Sequence, residues 1–226
     1  MSRGRQAAGA ASREASSKGE AGTVTGPGRP RGARLDRSFF EQDTRIVARR
    51  LLGARLCNRL DDGKVVSARI VETEAYHGFD DQASHARNGP TPRTAVMFGP
   101  AGHAYVYICY GIHHLLNFVT REEGFPAAVL IRGVDEPEGF GDYAIGPGRL
   151  CKAMGVIRRK HDGLDVTDSK ASLWVESGGR RPVEKVETSA RVGVDYAGDW
   201  ARKPWRYYLS EALSPHRPRF AARTRR

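Results

Sequence analysis

The spacing of apolar and polar positions changes several times along the chain, and each change marks an element. From Asp43 the apolar residues Ile46, Val47, Leu51 and Leu52 recur at helical spacing, with Arg45, Arg49 and Arg50 on or beside the polar side. Asp43 offers a side-chain acceptor to the free N–H groups of a first turn and Gly53 offers a stop, so the spacing predicts a helix between them. The period then shortens to two: Arg55–Leu60 and Lys64–Tyr76 flank Asp61-Asp62-Gly63, the composition of a tight hairpin turn. A polar stretch with three prolines runs from Gly78 to Gly102, long enough in a compact domain to point to function. Three β-branched and aliphatic runs follow closely, Ala104–Tyr110, Leu115–Thr120 and Ala127–Arg132, and imply a largely antiparallel sheet. Gly148–Met154 reads as a short helix, and Ser172–Glu176 and Arg206–Leu209 as later strands. The expected fold is a single α+β domain around a strongly curved, mainly antiparallel β-sheet with short flanking helices.

Alternation within Lys64–Tyr76 puts Val66, Ala68, Ile70, Glu72, Glu74 and Tyr76 on one face. Two carboxylates thus follow three apolar residues, which leaves two readings: a solvated strand end, or half-buried acids with shifted pKa values, the setting of general acid–base chemistry. Tyr105 and Tyr107 share a strand face while Tyr110, beside Gly111, falls on the other, so one side can line a pocket and the other project from a turn. His85, with Arg87, Arg93 and Met97 downstream, sits in the long loop. The histidines and acids together could be recruited to a zinc site, but no HExxH or comparable ligand spacing occurs.

Composition narrows the setting. A chain of 226 residues with 39% hydrophobic content suits one domain core. There is no apolar run of transmembrane length and the N-terminal segment lacks the apolar stretch of a secretory signal, so a soluble intracellular protein is expected, with no membrane partner. Cys57, Cys109 and Cys151 are odd in number and far apart, which indicates neither a disulfide framework nor a cysteine zinc site. The net charge of +11 lies almost wholly in two tails: residues 1–35 hold seven Lys/Arg against two acids, and residues 215–226 hold five arginines and no acid. Such tails add salt-dependent affinity for phosphates or merely solubilise the chain. Residues 1–35, poor in large apolar side chains, are expected to be disordered, 36–212 to form the domain, and 213–226 to be a second basic tail.

The order of the pieces carries more than any one of them. Arg69-Ile-Val-Glu-Thr-Glu-Ala-Tyr76, then Ala83-Ser-His85, Thr91-Pro-Arg93, Met97-Phe98, Tyr105-Val-Tyr-Ile-Cys-Tyr-Gly111, Asn117, Leu130-Ile-Arg132, Gly146-Pro-Gly-Arg-Leu-Cys-Lys-Ala153 and the stretch Ala190–Pro204 follow one another. This succession resembles the alkyladenine (methylpurine, 3-methyladenine) DNA glycosylase family from about Phe39 to Leu209. The resemblance implies base excision repair: an alkylated or deaminated purine nucleotide is flipped out of double-stranded DNA and its N-glycosidic bond is hydrolysed. By resemblance Glu74 activates the attacking water and Arg132 lies near that water and the phosphate. The same likeness makes Tyr76, His85 and Tyr107 the stacking walls for the base, Asn117 the group that disfavours guanine, and Tyr110, on a protruding β-hairpin, the duplex wedge. Thr91, Met97 and Arg149 match positions at the DNA backbone or beside the wedge.

No lysine occurs in the sequence near Glu74 or the base-pocket positions to form a Schiff base, so a monofunctional monomer leaving an abasic site, without metal or other cofactor, is expected. His113, His114 and Leu115 depart from the mammalian-like pattern after the wedge, and the short Pro137–Gly146 segment resembles a compact bacterial-type member. Two other functions remain open at this point: a nucleic-acid-binding module of the same fold without hydrolysis, and a metal-dependent hydrolase.

Overall fold

The computed structural model describes residues 32–178 and 184–210. Asp36 caps α1 (Arg37–Phe40) by accepting the Phe39 N–H, and Asp43 caps α2 (Thr44–Arg50) through the Arg45 N–H. The buried side of α2 is not quite the expected one. Thr44, Val47 and Ala48 face inward with Leu51 and Leu52, while Ile46 is 49% exposed. A helix this short, pinned at Asp43 and at Gly53 (φ 91°), presents a face set by its ends, and Ala48 is small enough to meet the sheet closely.

The strands are β1 (Arg55–Arg59), β2 (Val65–His77), β3 (Ala104–Cys109), β4 (His113–Val119), β5 (Ala127–Glu138), β6 (Ala144–Ile145), β7 (Leu173–Glu176), β8 (Val186–Ser189) and β9 (Arg206–Leu209), with α3 (Pro147–Met154) and α4 (Arg158–His161) between β6 and β7. They form one curled antiparallel sheet in the order β3-β4-β5-β2-β1-β7, with β6 beside β5 and β9 joining β2 to β8. The fold is therefore the expected α+β domain. β5 runs six residues past Arg132, and α1, α4, β6 and β8 had no sequence expectation.

The central strand explains the position of the site. β2 pairs with β5 along one edge and with β1 and then β9 along the other, so it is buried from Val66 to Ala75. The β2–β5 register slips between Ser67 and Arg69, Ile70 and Glu72, and Glu72 and Thr73, leaving Val71 and Arg132 outside the pairing. Bulges of this kind sharpen local twist and re-aim side chains. They also interrupt the continuous parity expected from Val66 to Tyr76. Ile70 and Val71 both enter the main core, whereas Glu72, Glu74 and Tyr76 converge beyond the slip. Gly133 sits opposite Glu72 where space is tight, since a Cβ there would lie 3.2 Å from Glu72 Cβ.

The core packs Leu56, Ile70, Leu116, Phe118 and Ile131 of the sheet against Phe40, Val47, Leu51, Leu150 and Met154 of the helices. Full burial of each such aliphatic side chain contributes about 1.5–3 kcal/mol. Pairing begins before Phe39, because Arg34 bridges Glu176 and the Leu35 N–H donates to the Val175 carbonyl. Residues 1–31 of the expected first tail and all of 213–226 lie outside the described residues. Among the described residues no helix is long and apolar enough to cross a membrane.

Candidate active site

Glu74 is completely buried, so it is not at a solvated strand end. Its Oε1 accepts the backbone N–H of Val192 at 2.8 Å, and its Oε2 accepts the Tyr76 hydroxyl at 2.8 Å. Arg132, turned inward by the β5 bulge, places Nη1 3.4 Å from Glu74 Oε2 while its Nε donates to Glu72 Oε1 at 2.8 Å. Arg206 of β9 donates to the same Glu72 oxygen at 2.7 Å. Two carboxylates and two guanidiniums thus share one buried corner, which is how buried charge is tolerated. Burial lifts the Glu74 carboxyl above its ordinary value of 4.5; Arg132, the Val192 amide and Tyr76 oppose that rise, and Glu72 adds to it. Burial, reinforced by Glu74, also raises the Tyr76 phenol well above its usual range, so Tyr76 stays a hydrogen-bond donor.

Glu74 lies beneath a cavity of about 420 Å³ whose lining includes Tyr76, His85, Tyr107, Asn117 and Arg132. Met97 and Tyr110 line it too, so seven of the expected site residues meet at one place. His85 stands edge-on to Tyr107 with ring centroids 4.6 Å apart, and Tyr105 stacks on Tyr107 at 5.5 Å. His85 Nδ1 is 3.1 Å from the Tyr105 hydroxyl, and the Arg93 guanidinium lies over the Tyr107 ring at 5.1 Å. Although one side of His85 is open to solvent, desolvation by its neighbours and then the charges of Arg93 and Arg87 bring its pKa down to about 4, so the ring is neutral at pH 7. Asn117 is held by its Nδ2, which donates to the Tyr105 carbonyl at 3.1 Å. The cavity falls within the size range of small-molecule sites, and aromatic and aliphatic residues make up most of its lining while polar atoms supply slightly more than half of its exposed wall.

Tyr110 occupies the mouth. It is 91% exposed at the tip of the β3–β4 hairpin, where Tyr110 (φ 51°) and Gly111 (φ 74°) are both left-handed and the Ile112 N–H closes the turn on the Cys109 carbonyl. Its direction is thus set by the turn, not by continued alternation along β3. A tyrosine in this conformation is strained, and an exposed aromatic beside exposed Ile112 is an unfinished contact. His113 packs where a Cβ on Gly148 would meet it, and His114 Nδ1 accepts the Arg158 N–H, so these histidines brace the hairpin against α3 and α4.

Thr91 and Arg149 lie away from the cavity, while Met97 lines it from below. Thr91 bonds to Thr94 through both backbone and hydroxyl and is exposed on the long loop. Met97 is buried against Ala86, Tyr105, Val119 and Ala128, beneath the aromatic wall instead of on the outer surface. Arg149 is exposed in the first turn of α3. Among the described residues no three of His, Cys, Asp and Glu come together as a metal-holding group.

Sequence reasoning gave no role to the Val192 amide, to Arg206, or to a buried Arg191–Asp81 ion pair at 2.6 Å. A backbone donor has no side-chain signature, and Asp81 and Arg191 are 110 positions apart. The available signal was the Ala190–Pro204 stretch, which contains both Arg191 and Val192.

With this geometry in place, comparison with known proteins is specific. The sequence pattern of the methylpurine-DNA glycosylase (MPG) family matches residues 38–212. Among the similar proteins, one from Anaeromyxobacter dehalogenans (strain 2CP-C) is 53% identical over 186 residues, covering 82% of this chain and 87% of the relative. Another from Anaeromyxobacter sp. (strain Fw109-5) is 54% identical over 177 residues, covering 78% and 89%. A third from Myxococcus xanthus (strain DK1622) is 47% identical over 181 residues, covering 79% and 91%. All three bear, provisionally, the name 3-methyladenine DNA glycosylase.

Proposed function

The chain belongs to the methylpurine-DNA glycosylase family and is a DNA glycosylase, and from that premise we propose that it removes alkylated purines from duplex DNA with a water activated by Glu74. The observation that carries this reading is a wholly buried carboxylate, held by two donors and faced by Arg132, under an aromatic cavity wide enough for a flipped base.

Tyr110 enters the duplex and fills the gap left by the extruded nucleotide. The base then lies among Tyr76, His85 and Tyr107, whose electron-rich faces favour a purine made cationic by ring alkylation, while neutral His85 does not repel it. Asn117, fixed on the Tyr105 carbonyl, disfavours the exocyclic amine of normal guanine. Water attacks C1′ of the sugar, its proton passes to Glu74, the C1′–N bond breaks, and the base departs with the bonding electrons. Arg132 steadies the Glu74 carboxylate and the nearby phosphate. Among the described residues lining the cavity there is no lysine, which supports hydrolysis without a lyase step. One domain supplies wedge, walls and base, so a monomer suffices.

The test uses oligonucleotides carrying single 3-methyladenine, 7-methylguanine, hypoxanthine or ethenoadenine residues, assayed with excess chelator. Release of both methylated bases, with strands intact until alkali treatment, is expected. Tight binding without release would replace this reading by a binding module, and activity lost with chelator would replace it by a metal-dependent hydrolase.

A further inference from the structure

The segment after β8 buries a cation whose partners come from three parts of the site. Arg191 Nη1 donates to Asp81 Oδ2 at 2.6 Å and to the Ala75 carbonyl at 2.9 Å, and its Nη2 to Asp81 Oδ1 at 2.8 Å and the Trp200 carbonyl at 3.0 Å. The guanidinium lies 4.8 Å from the Tyr76 ring centroid and 5.1 Å from that of Trp205. Two of these partners lead to the chemistry. Ala75 links Glu74 to Tyr76 in β2. Asp81 also accepts the His77 and Ala83 N–H groups, fixing the loop that leads to His85. The residue next to Arg191 is Val192, whose N–H holds Glu74 Oε1.

Stability alone is a poor reason for this arrangement. Both side chains of the ion pair are wholly buried, and such pairs gain little over apolar packing once desolvation is counted. Arg191 Nε is, moreover, buried without a protein partner among the described residues. What the pair does supply is a buried, directional link beside Val192, itself half exposed, in addition to the Ala75 N–H on the Trp205 carbonyl and the packing of Ala83 with Val194 and Ala197.

We propose that Arg191 is a positioning residue: clamped by Asp81 and by the carbonyls of Ala75 and Trp200, it holds the Val192 N–H on Glu74 and so governs how readily Glu74 serves as the base. This rests on Glu74 being the base. The groups facing Glu74 are Glu72 and Tyr76 from β2, Arg132 from β5, Tyr107 from β3 and the Val192 amide, with Arg206 of β9 acting through Glu72. Val192 is the donor that depends on Arg191. If it drifts away, the ionised form of Glu74 loses a partner and its pKa rises further, so the acid limb of the rate moves to higher pH.

The experiment measures single-turnover release of 3-methyladenine against pH for the wild-type full chain, for Arg191→Lys, and for a chain in which the Val192 amide N–H is replaced by an ester oxygen. Lysine keeps the charge but cannot make the four contacts; the ester removes only the donor and leaves Arg191 in place. Both are expected to move the acid limb up by about one pH unit, a loss of about tenfold below the limb, with little change on the plateau. A purely structural role would scale the rate equally at every pH, and an unmoved limb in both variants, with Glu74→Gln inactive, overturns the positioning role alone. Near-wild-type release by Glu74→Gln overturns the role of Glu74 and this inference with it.

Discussion

Glu74 lies where a carboxylate is hardest to ionise and is nonetheless ringed by groups that favour the ion. Because burial is the largest influence, the folded-state pKa lies above 4.5, the base form is gained as pH rises through that raised value, and the acid limb of base release should fall above pH 4.5. Tyr76→Phe keeps the stacking face and removes one donor from Glu74. Its limb is expected to shift upward by about one further pH unit in single-turnover release, and a limb at the wild-type position would show that the hydroxyl does not act on Glu74. At this scale the sequence was informative wherever side-chain type and order carried the signal. Glu74, Tyr76, His85, Tyr107, Asn117 and Arg132 do meet at one cavity. The Val192 amide was illegible, because a backbone N–H is the same at every residue but proline.

Alternation named most strands because each buries at least one apolar face, and the turn residues marked their ends. It failed where geometry departs from the regular period. Val71 and Arg132 fall outside the β2–β5 pairing, and β6 and β8 are too short to show a pattern. The hairpin tip is another such departure, since Tyr110 takes a left-handed conformation that suits glycine. Tyr110→Gly should therefore leave stability unchanged or raise it by up to about 1 kcal/mol, while weakening affinity for lesion-bearing duplex at least about tenfold. Chemical denaturation and binding to an oligonucleotide with an abasic-site analogue measure the two together. A loss of stability with unchanged affinity would remove the wedge role.

For the whole molecule, the α+β architecture was readable from the succession of strand and helix patterns, whereas the link between Asp81 and Arg191 was not, because chain separation hides which buried charges will pair. The net charge of +11 resides nearly all in the terminal segments, leaving a domain close to neutral. Deleting residues 1–31, which stops short of the paired Arg34 and Leu35, is accordingly expected to lower DNA affinity at low salt, with a smaller effect as salt rises, and an affinity unchanged by the deletion at every salt concentration would make that segment merely solubilising. Glu74 is the carboxylate on which the proposed chemistry turns, and DNA binding is expected not to need it. The most direct test is Glu74→Gln, measured for binding to DNA with an abasic-site analogue and for release of 3-methyladenine in a single turnover. Retained binding with release slowed by at least about a thousandfold is the expected result, and near-wild-type release would contradict it.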